Sequence, residues 1–424
     1  MKSLDARPKA ADPEQKRSER RQMLFIVLCC LVYSFAYAGR YSYHANIAPV
    51  MNHYGVTHAE AGLVGTFFFF AYGGGQLLNA FLCKFYNKRI VISAALFVSA
   101  VINLILLFDV PFALIKFLWL VNGISQSVLW PTLILAESEA LDTKMLKRAV
   151  FLMSFSVLFG TLLAYGSSAL FNLTGLFRAT FLFGAVLMAA IGFVWLLSYR
   201  KLTERSTADP VREDDPETAG KGGRMIAAAL VGLIIVSGVF AVVDNFVKDG
   251  MNTWMPVILK EEYGFGDSIS IVLTLVLPVF GVFGSALALQ VNRWLKDFRA
   301  VIGLLYMMLA ISLLGILYAL RAGNALVWFL ICQGAVSCLA HGINAVLTSI
   351  MPLTLREQIN SGFLAGLLNA CCYIGSTASA YGLGKIADGT GWDPVILLLF
   401  FTAADSALLA GAVFLIGKMR KRNA

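Results

Sequence analysis

Charged side chains are scarce in this sequence: only 14% of its 424 residues are Asp, Glu, Lys or Arg, whereas 58% are hydrophobic. A water-soluble protein of this size could not shield so much apolar surface, but a lipid bilayer accepts it. The net charge of +9 does not indicate nucleic-acid binding, because Lys and Arg recur in short clusters between apolar runs. The composition therefore predicts an integral membrane protein that lies in a lipid bilayer and has no nucleic-acid partner.

Sequence patterns for catalysis and metal binding are missing as well. The seven cysteines lie within or beside apolar runs and lack the paired spacing of zinc or redox motifs. The glycine run at 73–75 lacks the spacing of a phosphate-binding loop and follows no strand. The apolar runs contain no nucleophile and base at a useful spacing. We therefore expect no enzyme, no metal site, no organic cofactor and no ATP-driven pump.

Long apolar runs dominate the chain instead. A membrane-spanning helix needs about 20 apolar residues. By this criterion we predict an all-α membrane protein with twelve spans, at residues 23–48, 61–83, 89–108, 112–136, 148–171, 177–198, 225–248, 268–291, 299–320, 325–350, 360–386 and 393–417.

The positive charges agree with this count. The chain ends and the even-numbered connections between spans contain 27 Lys and Arg residues, whereas the odd-numbered connections contain three. Basic connections are retained in the cytoplasm. We therefore expect both termini to be cytoplasmic, and we expect the inner (plasma) membrane of a bacterium as the location.

The sequence divides into two halves of similar pattern. Residues 199–224 are the long polar interior segment, typical of a flexible linker. Arg89 lies 210 residues before Arg299, and Gly123 lies 211 residues before Gly334. This near-constant offset indicates two parallel repeats of six helices, as in the major facilitator fold. The predicted order is a tail, a six-helix bundle, a linker, a pseudo-symmetric second bundle and a tail, at residues 1–22, 23–198, 199–224, 225–417 and 418–424.

Two cations occupy equivalent places in the halves: Arg40 and Lys248 are 208 residues apart. A charge in mid-membrane costs about 3 kcal/mol, so it normally faces protein or water. Two cations that face each other across a central cavity suit an anion. The alternative is that each cation snorkels to the surface or pairs with a structural carboxylate. For Lys248 the candidates are Asp244, one turn away, and the adjacent Asp249.

Tyrosines accompany Arg40. Tyr33, Tyr37 and Arg40 are spaced i, i+4 and i+7, so they share one helix face, where the hydroxyls could complete the hydrogen bonds of an anion. Tyr72 and Gln76 likewise share a face of the second span. The alternative for each pair is a structural role, at the membrane interface or in helix packing.

Other polar residues of the first connection are expected to have no chemical role. Tyr41 and Tyr43 are interpreted as interfacial aromatics. His44, His53 and His58 are expected in a loop on the outer side.

Four segments carry a resemblance to a known family: "YSFAYAGR" (33–40), "NGISQSVLWP" (122–131), "FVKDGMNTWMPVILK" (246–260) and "SGFLAGLLNACCYIGSTASAYGLGKIADGTGWD" (361–393). They are similar to segments of helices 1, 4, 7 and 11 of the organophosphate:phosphate antiporters. This family is the glycerol-3-phosphate and hexose-phosphate transporter branch of the major facilitators. The segments are spread over nearly the whole chain, so the resemblance is specific for the family and weak for the substrate.

The resemblance implies that Arg40 and Lys248 hold a phosphate group and that aromatic side chains line the site. The predicted substrate-binding residues are Arg40, Lys248, Tyr33, Tyr37, Tyr72, Gln76, Trp130 and Tyr373. The chain also departs from the family. Lys248 stands where arginine is usual, and Gln76 replaces a second-helix lysine. A phosphonate or a carboxylate is therefore an open alternative to a phosphate ester.

We interpret the sequence as a monomeric secondary transporter that moves a small organic anion by alternating access, in exchange for inorganic phosphate. Asp244 is a candidate to pair with Lys248 in the empty site or to carry a proton. The alternative is a transporter-like membrane receptor that senses such an anion and signals through a partner protein.

Overall fold

The computed structural model describes residues 13–203 and 228–423, and within these ranges the structure has α-helices and no strand. The α-helices are Pro13–Ala45, Ile47–Tyr54, His58–Leu82, Lys88–Ile105, Phe112–Ser127, Leu129–Ala140, Thr143–Met153, Ser156–Leu173, Ala179–Thr203, Ala228–Tyr263, Asp267–Thr274, Val276–Leu295, Phe298–Ala322, Leu326–Ala345, Met351–Thr354, Ser361–Thr390 and Trp392–Asn423. A 3₁₀ turn at Cys83–Phe85 and a π-helical turn at Val346–Ile350 extend two of these helices.

In the described part of the chain, twelve helical spans are long and apolar enough to cross a membrane, as the sequence predicts. In chain order, spans 1 to 12 are Arg17–Ala45, His58–Phe85, Lys88–Ile105, Phe112–Ala140, Thr143–Leu173, Ala179–Thr203, Leu230–Tyr263, Asp267–Leu295, Phe298–Ala322, Leu326–Thr354, Ser361–Thr390 and Trp392–Met419. Spans 1–6 are called the N-bundle below, and spans 7–12 the C-bundle.

The predicted end of span 7 at residue 248 is wrong. The helix Ala228–Tyr263 continues for four more turns, although its last part contains Asp249 and Pro256. The polar residues of this part resemble a loop in sequence, yet the side chains of Trp254, Met255 and Ile258 are almost fully buried between other spans. Lys248 therefore lies near the middle of span 7.

Prolines break or loosen several spans. Proline lacks the N–H that would bond the carbonyl four residues earlier, and its ring clashes with that carbonyl. Span 4 accordingly divides at Val128, three residues before Pro131, and span 8 divides at Leu275, three residues before Pro278. In span 7 the carbonyl released by Pro256 is that of Asn252.

The two bundles contact each other on one side. The side where span 1 begins is called the terminal side, and the side where it ends is called the opposite side. Gly62 of span 2 lies against Ala380 of span 11 so closely that a β-carbon at Gly62 would collide with the Ala380 carbonyl. Small residues permit such close helix packing in membranes. Nearby, Thr66 Oγ1 donates a hydrogen bond of 2.9 Å to the Thr377 carbonyl.

Hydrogen bonds between the two bundles are also concentrated on the opposite side. Tyr165 of span 5 donates its hydroxyl to the Asn252 carbonyl of span 7 at 3.2 Å. Toward the terminal side, the last cross-bundle hydrogen bond among the described residues joins Gln76 and Asn369. The opposite side is therefore closed in this structure.

The predicted linker falls mostly, and the predicted N-terminal tail partly, on residues that the structure does not describe. Most of the linker 199–224 lies outside the described residues, as do residues 1–12 of the N-terminal tail. The helix Ala179–Thr203 extends into the first part of the predicted linker. The remainder of the N-terminal tail is helical, because the first helix begins at Pro13.

Candidate functional site

Arg40 lies in the middle of the N-bundle and is only 4% exposed. Its Nε donates a hydrogen bond to Gln126 Oε1 at 3.0 Å, while Nη2 has no hydrogen-bond partner among the described residues. The guanidinium carbon lies 4.4 Å from the ring centre of Tyr37, 4.1 Å from that of Tyr72 and 5.1 Å from that of Phe68. Aromatic faces stabilise a cation without neutralising it. Arg40 is thus a held, desolvated cation with donor capacity left for an anion.

Aromatic side chains extend from Arg40 toward the C-bundle. The ring centres of Tyr33 and Tyr37 are 5.0 Å apart, and Tyr33 lies 4.8 Å from Trp130 of span 4. Tyr72 lies 5.1 Å from Tyr373 of span 11, so this pair bridges the bundles. Tyr37, Trp130 and Tyr373 are partly exposed. The structure therefore brings the predicted aromatic residues together around Arg40.

Gln76 has a bridging position. Its Nε2 donates to the Tyr72 hydroxyl at 3.1 Å, and its Oε1 accepts a hydrogen bond of 2.8 Å from Asn369 of span 11. Both ends of the amide are thereby used within the protein. This geometry favours a role in joining the bundles over direct contact with a substrate.

Lys248 is the cation of the C-bundle and is half-buried. Its Nζ donates to Asn245 Oδ1 at 2.8 Å. Within the described residues, no ion pair joins it to Asp244 or Asp249. The ammonium group lies close enough to Asp244, to Asp249 and to Tyr37 of the N-bundle for electrostatic interaction. Lys248 therefore lies near the interface between the bundles.

Two carboxylates accompany Lys248. Asp244 is fully buried, and neither of its oxygens has a hydrogen-bond partner in the described part of the chain. Asp249 is 7% exposed and accepts hydrogen bonds from Ser376 Oγ at 2.5 Å and Asn245 Nδ2 at 3.5 Å. The charge of Asp249 also reaches Tyr37 and Tyr373. The site thus contains acidic as well as basic groups.

Sequence reasoning missed part of this arrangement. Gln126 lies inside a quoted segment, but its hydrogen bond to Arg40 depends on how span 4 packs. Asn245 and Ser376 were not selected, although the spacing of Asn245 and Asp249 (i, i+4) places both on the face that carries Lys248. Polar residues repeated on one face of an apolar helix are the signal that could have found them.

The interpretation of the aromatic and histidine residues near the first connection is wrong in three places. Tyr43 is buried and donates its hydroxyl to the Ala61 carbonyl at 2.9 Å. Tyr41 continues the aromatic row, with its ring centre 5.5 Å from that of Tyr37. His44 lies in span 1, and both ring nitrogens lack hydrogen-bond partners among the described residues. These side chains pack against residues of spans 5, 4 and 2.

His58 is also not a simple loop residue. It begins span 2 and bridges two carboxylates of the C-bundle. Its Nδ1 lies 2.7 Å from Asp388 Oδ1, and its Nε2 lies 2.9 Å from Glu261 Oε1. The Trp392 Nε1–H donates to the second Glu261 oxygen at 2.8 Å. This group, the His58 cluster, closes the opposite side.

Metal chemistry finds no support in the described ranges. Residues 13–203 and 228–423 contain no group of three or more His, Cys, Asp or Glu placed to hold a metal ion. The structure has a charged, aromatic-lined site between two helical bundles that are closed on one side. Such a site defines the class of secondary transporters.

Comparison with known proteins confirms this class. The sequence model of the Major Facilitator Superfamily matches residues 29–380, and the chain belongs to this superfamily. The glycerol-3-phosphate transporter of Bacillus subtilis (strain 168) is 24% identical over 409 residues, covering 89% of each chain. These relatives are transporters and not enzymes. The resemblance carried by the four segments is confirmed at this level.

Solved structures show the same fold. A bacterial homolog of the human lysosomal transporter Spinster, in an inward-facing and unoccupied conformation, matches with a TM-score of 0.75 and 14% identity, over 93% of this chain and 98% of that chain. The nucleoside transporter NupG matches with a TM-score of 0.67 and 13% identity, over 93% of this chain and 99% of that chain. At such low identity the likeness concerns the fold alone. The protein is thus an integral membrane secondary transporter of the major facilitator fold.

Proposed function

We propose that the protein transports a small organic anion, such as a phosphate ester or a phosphonate, in exchange for inorganic phosphate. The observation that carries this proposal is the state of Arg40. It is buried, held by Gln126 and by aromatic faces, and its Nη2 lacks a hydrogen-bond partner in the described residues. A desolvated guanidinium with a free donor binds carboxylate or phosphate oxygens strongly.

Arg40 and Lys248 together are called the anion clamp below. Lys248 is its second member. It approaches the site from the C-bundle and is close enough to interact with Tyr37 of the N-bundle. An anion held by both cations would draw the bundles together, whereas the empty site leaves Arg40 and Lys248 without this shared partner. Since only interactions that differ between states shift a conformational equilibrium, this difference couples binding to the rocking of the bundles.

The proposed substrate class is supported by a similar protein and by the residues near the cations. The glycerol-3-phosphate transporter of Bacillus subtilis matches this chain over 89% of its length, which favours a phosphate ester. Gln76, which stands where the resembled family has lysine, is engaged by Tyr72 and Asn369. With fewer cations available, a smaller or less charged anion, including a phosphonate, is also suited to the site.

The orientation completes the proposal. We place both termini in the cytoplasm of a bacterium, with the protein as a monomer in the inner membrane. We also retain the boundaries 23–198 and 225–417 for the bundles and 199–224 for the linker. In this orientation the closed opposite side faces outward.

Exchange in proteoliposomes tests the proposal. Vesicles loaded with inorganic phosphate are expected to take up labelled glycerol 3-phosphate or a labelled phosphonate. Loss of a hydrogen bond to a charged group costs about 1.5–3 kcal/mol, so Arg40→Ala is expected to reduce exchange at least about tenfold. Arg321→Ala is the matched control, because Arg321 pairs with Asp393 at the surface, away from the site. Undiminished exchange by Arg40→Ala would contradict the anion clamp.

The same experiment separates the receptor alternative. Saturable binding of phosphate or glycerol 3-phosphate to folded protein, with no flux in vesicles under any gradient, would favour a receptor over a transporter.

A further inference from the structure

The central site contains two cations and two carboxylates, of which Lys248 is half-buried and the other three are buried. Arg40 and Lys248 are accompanied by Asp244 and Asp249, which are 0% and 7% exposed. With all four side chains ionised, their net charge is zero. A bound anion would then leave uncompensated negative charge in a region of low dielectric constant, which is costly. One carboxylate must therefore be neutral when the anion is bound.

Asp249 is the hydrogen-bonded carboxylate of the pair. Its Oδ2 accepts hydrogen bonds from Ser376 Oγ at 2.5 Å and from Asn245 Nδ2 at 3.5 Å. Hydrogen bonds donated to a carboxylate stabilise its charged form. Asn245 in turn accepts a hydrogen bond from Lys248, so Asp249 and Lys248 belong to one hydrogen-bond network.

Asp244 is arranged differently. Neither of its oxygens has a partner with hydrogen-bond geometry among the described residues, although the Asn344 amide lies close to the carboxylate. The neighbouring Asn344 amide donates instead to Asn245 Oδ1 at 3.4 Å and to Cys372 Sγ at 3.3 Å. The titratable or polar groups that face Asp244 from its own helix and from spans 9, 10 and 11 are Lys248, Asp249, Tyr306, Asn344 and Cys372. Lys248 is the cation among them, and its ammonium group is the one that a bound anion would engage.

Glu137 is another buried carboxylate that could bind a proton, but it lies outside the central site. Glu137 of span 4 is fully buried, but its neighbour is Cys29 of span 1. Neither residue contacts Arg40 or Lys248 in the described structure, so the charge of Glu137 cannot balance an anion held between these cations.

We propose that Asp244 is a proton-binding site that loads together with the anion. This inference rests on the proposed anion transport. A proton from the side to which the site is open forms an O–H bond with the Asp244 carboxylate, and in net transport the same bond breaks after the anion has been released on the other side. The loaded site is then neutral for a monoanion, with Arg40 and Lys248 opposing Asp249 and the anion. The empty site is neutral with Asp244 ionised beside Lys248.

This arrangement distinguishes two transport modes. In the exchange of one anion for another, Asp244 keeps its proton throughout. Net uptake requires the empty carrier to return, and Asp244 must release its proton to balance Lys248. Exchange is therefore independent of the proton site, whereas net uptake carries one proton with each monoanion.

Proton uptake on binding tests the assignment. Calorimetric titrations of the full-length protein with inorganic phosphate and with glycerol 3-phosphate, in buffers of different ionisation enthalpy, measure the protons taken up per anion. Wild type is expected to take up about one proton more per anion than Asp244→Asn. Protons taken up or released by the ligand itself are the same for both proteins, so they cancel in this difference. Asp244→Glu, which keeps an ionisable group, is expected to retain the uptake. Asp405→Asn is the matched control, since Asp405 is an exposed carboxylate of span 12.

Transport gives the second readout. Asp244→Asn is expected to lose at least about tenfold more of the accumulation driven by external acid than of phosphate exchange. Asp405→Asn is expected to keep both. Equal proton uptake by wild type and Asp244→Asn, or acid-driven accumulation by Asp244→Asn, would overturn this inference alone. Absence of any anion binding to wild type would overturn the anion site and this inference with it.

Discussion

The His58 ring and the Asp388 carboxylate join the two bundles on the opposite side, with 2.7 Å between Nδ1 and Oδ1. The backbone N–H groups of His58 and Ala59 also donate to Asp388, at 2.8 Å and 2.9 Å. Because Glu261 occupies the other ring nitrogen, both nitrogens of His58 must carry protons in this arrangement. A charged histidine thus holds the N-terminus of span 2 against spans 7 and 11.

Removal of the His58 side chain is expected to open the opposite side. His58→Ala leaves Asp388 and Glu261 as unpaired like charges, and hydrogen bonds to charged groups contribute about 1.5–3 kcal/mol each. We expect the closed population to fall at least about tenfold. Spin labels at the exposed positions Asn52 and Thr390, in a variant without the native cysteines, report the distance between the bundles. His53→Ala is the control, because His53 pairs with Asp109 inside the N-bundle. An unchanged distance distribution for His58→Ala would contradict the role of the cluster.

A carboxylate at position 126 is expected to prevent Arg40 from binding an anion. In Gln126→Glu the new side chain keeps the shape of glutamine but forms an ion pair with the guanidinium, which then has no free charge for an anion. We expect phosphate binding to weaken at least about tenfold, measured by calorimetry. Gln126→Ala, which only removes the hydrogen bond, is expected to weaken binding less. The reverse order of the two variants would argue against direct anion binding by Arg40.

Closure of the opposite side is expected to require glycine at position 62. A methyl group there collides with the Ala380 carbonyl of the other bundle, whereas a methyl group at Gly74 of the same span meets no atom within 4 Å. Gly62→Ala should therefore reduce phosphate exchange at least about tenfold with little change in the thermal stability of the protein. Gly74→Ala should retain exchange. Comparable exchange by the two variants would show that the close contact is dispensable.

The hydroxyl of Tyr165 and the ring of Pro256 are expected to be energetically coupled. Tyr165 donates to the Asn252 carbonyl, which lacks its helical partner because residue 256 is proline. Tyr165→Phe should lower stability by about 1 kcal/mol. In a Pro256→Ala background the restored N–H satisfies the carbonyl, so the same change should have almost no effect. Thermal unfolding of the four proteins gives the coupling energy, and additive effects would exclude it.

The sequence predicts the fold more fully than the site. Hydropathy locates twelve spans, because each must satisfy its backbone hydrogen bonds within one apolar helix. The repeat offset selects Arg40 and Lys248, because equivalent positions of two parallel repeats face each other. These inferences need only local composition and symmetry.

Residues defined by packing could not be found in this way. The end of span 7 depends on Trp254 and Met255 packing against other spans, which hides a polar stretch inside a helix. The partners of His58 lie 203 and 330 residues away in the chain, so no local pattern reveals them. Likewise, the unsatisfied state of Asp244 is a property of its surroundings and not of its spacing from Lys248.

Prolines inside the spans have a mechanical consequence. Four prolines lie within spans, and each removes one backbone hydrogen bond of its helix: Pro131, Pro256, Pro278 and Pro352. Bending at such a joint requires little energy, because the hydrogen bond that would resist it is already missing. The carrier can therefore flex at preset places in spans of both bundles, while the helix segments on either side of each joint move as stiff rods.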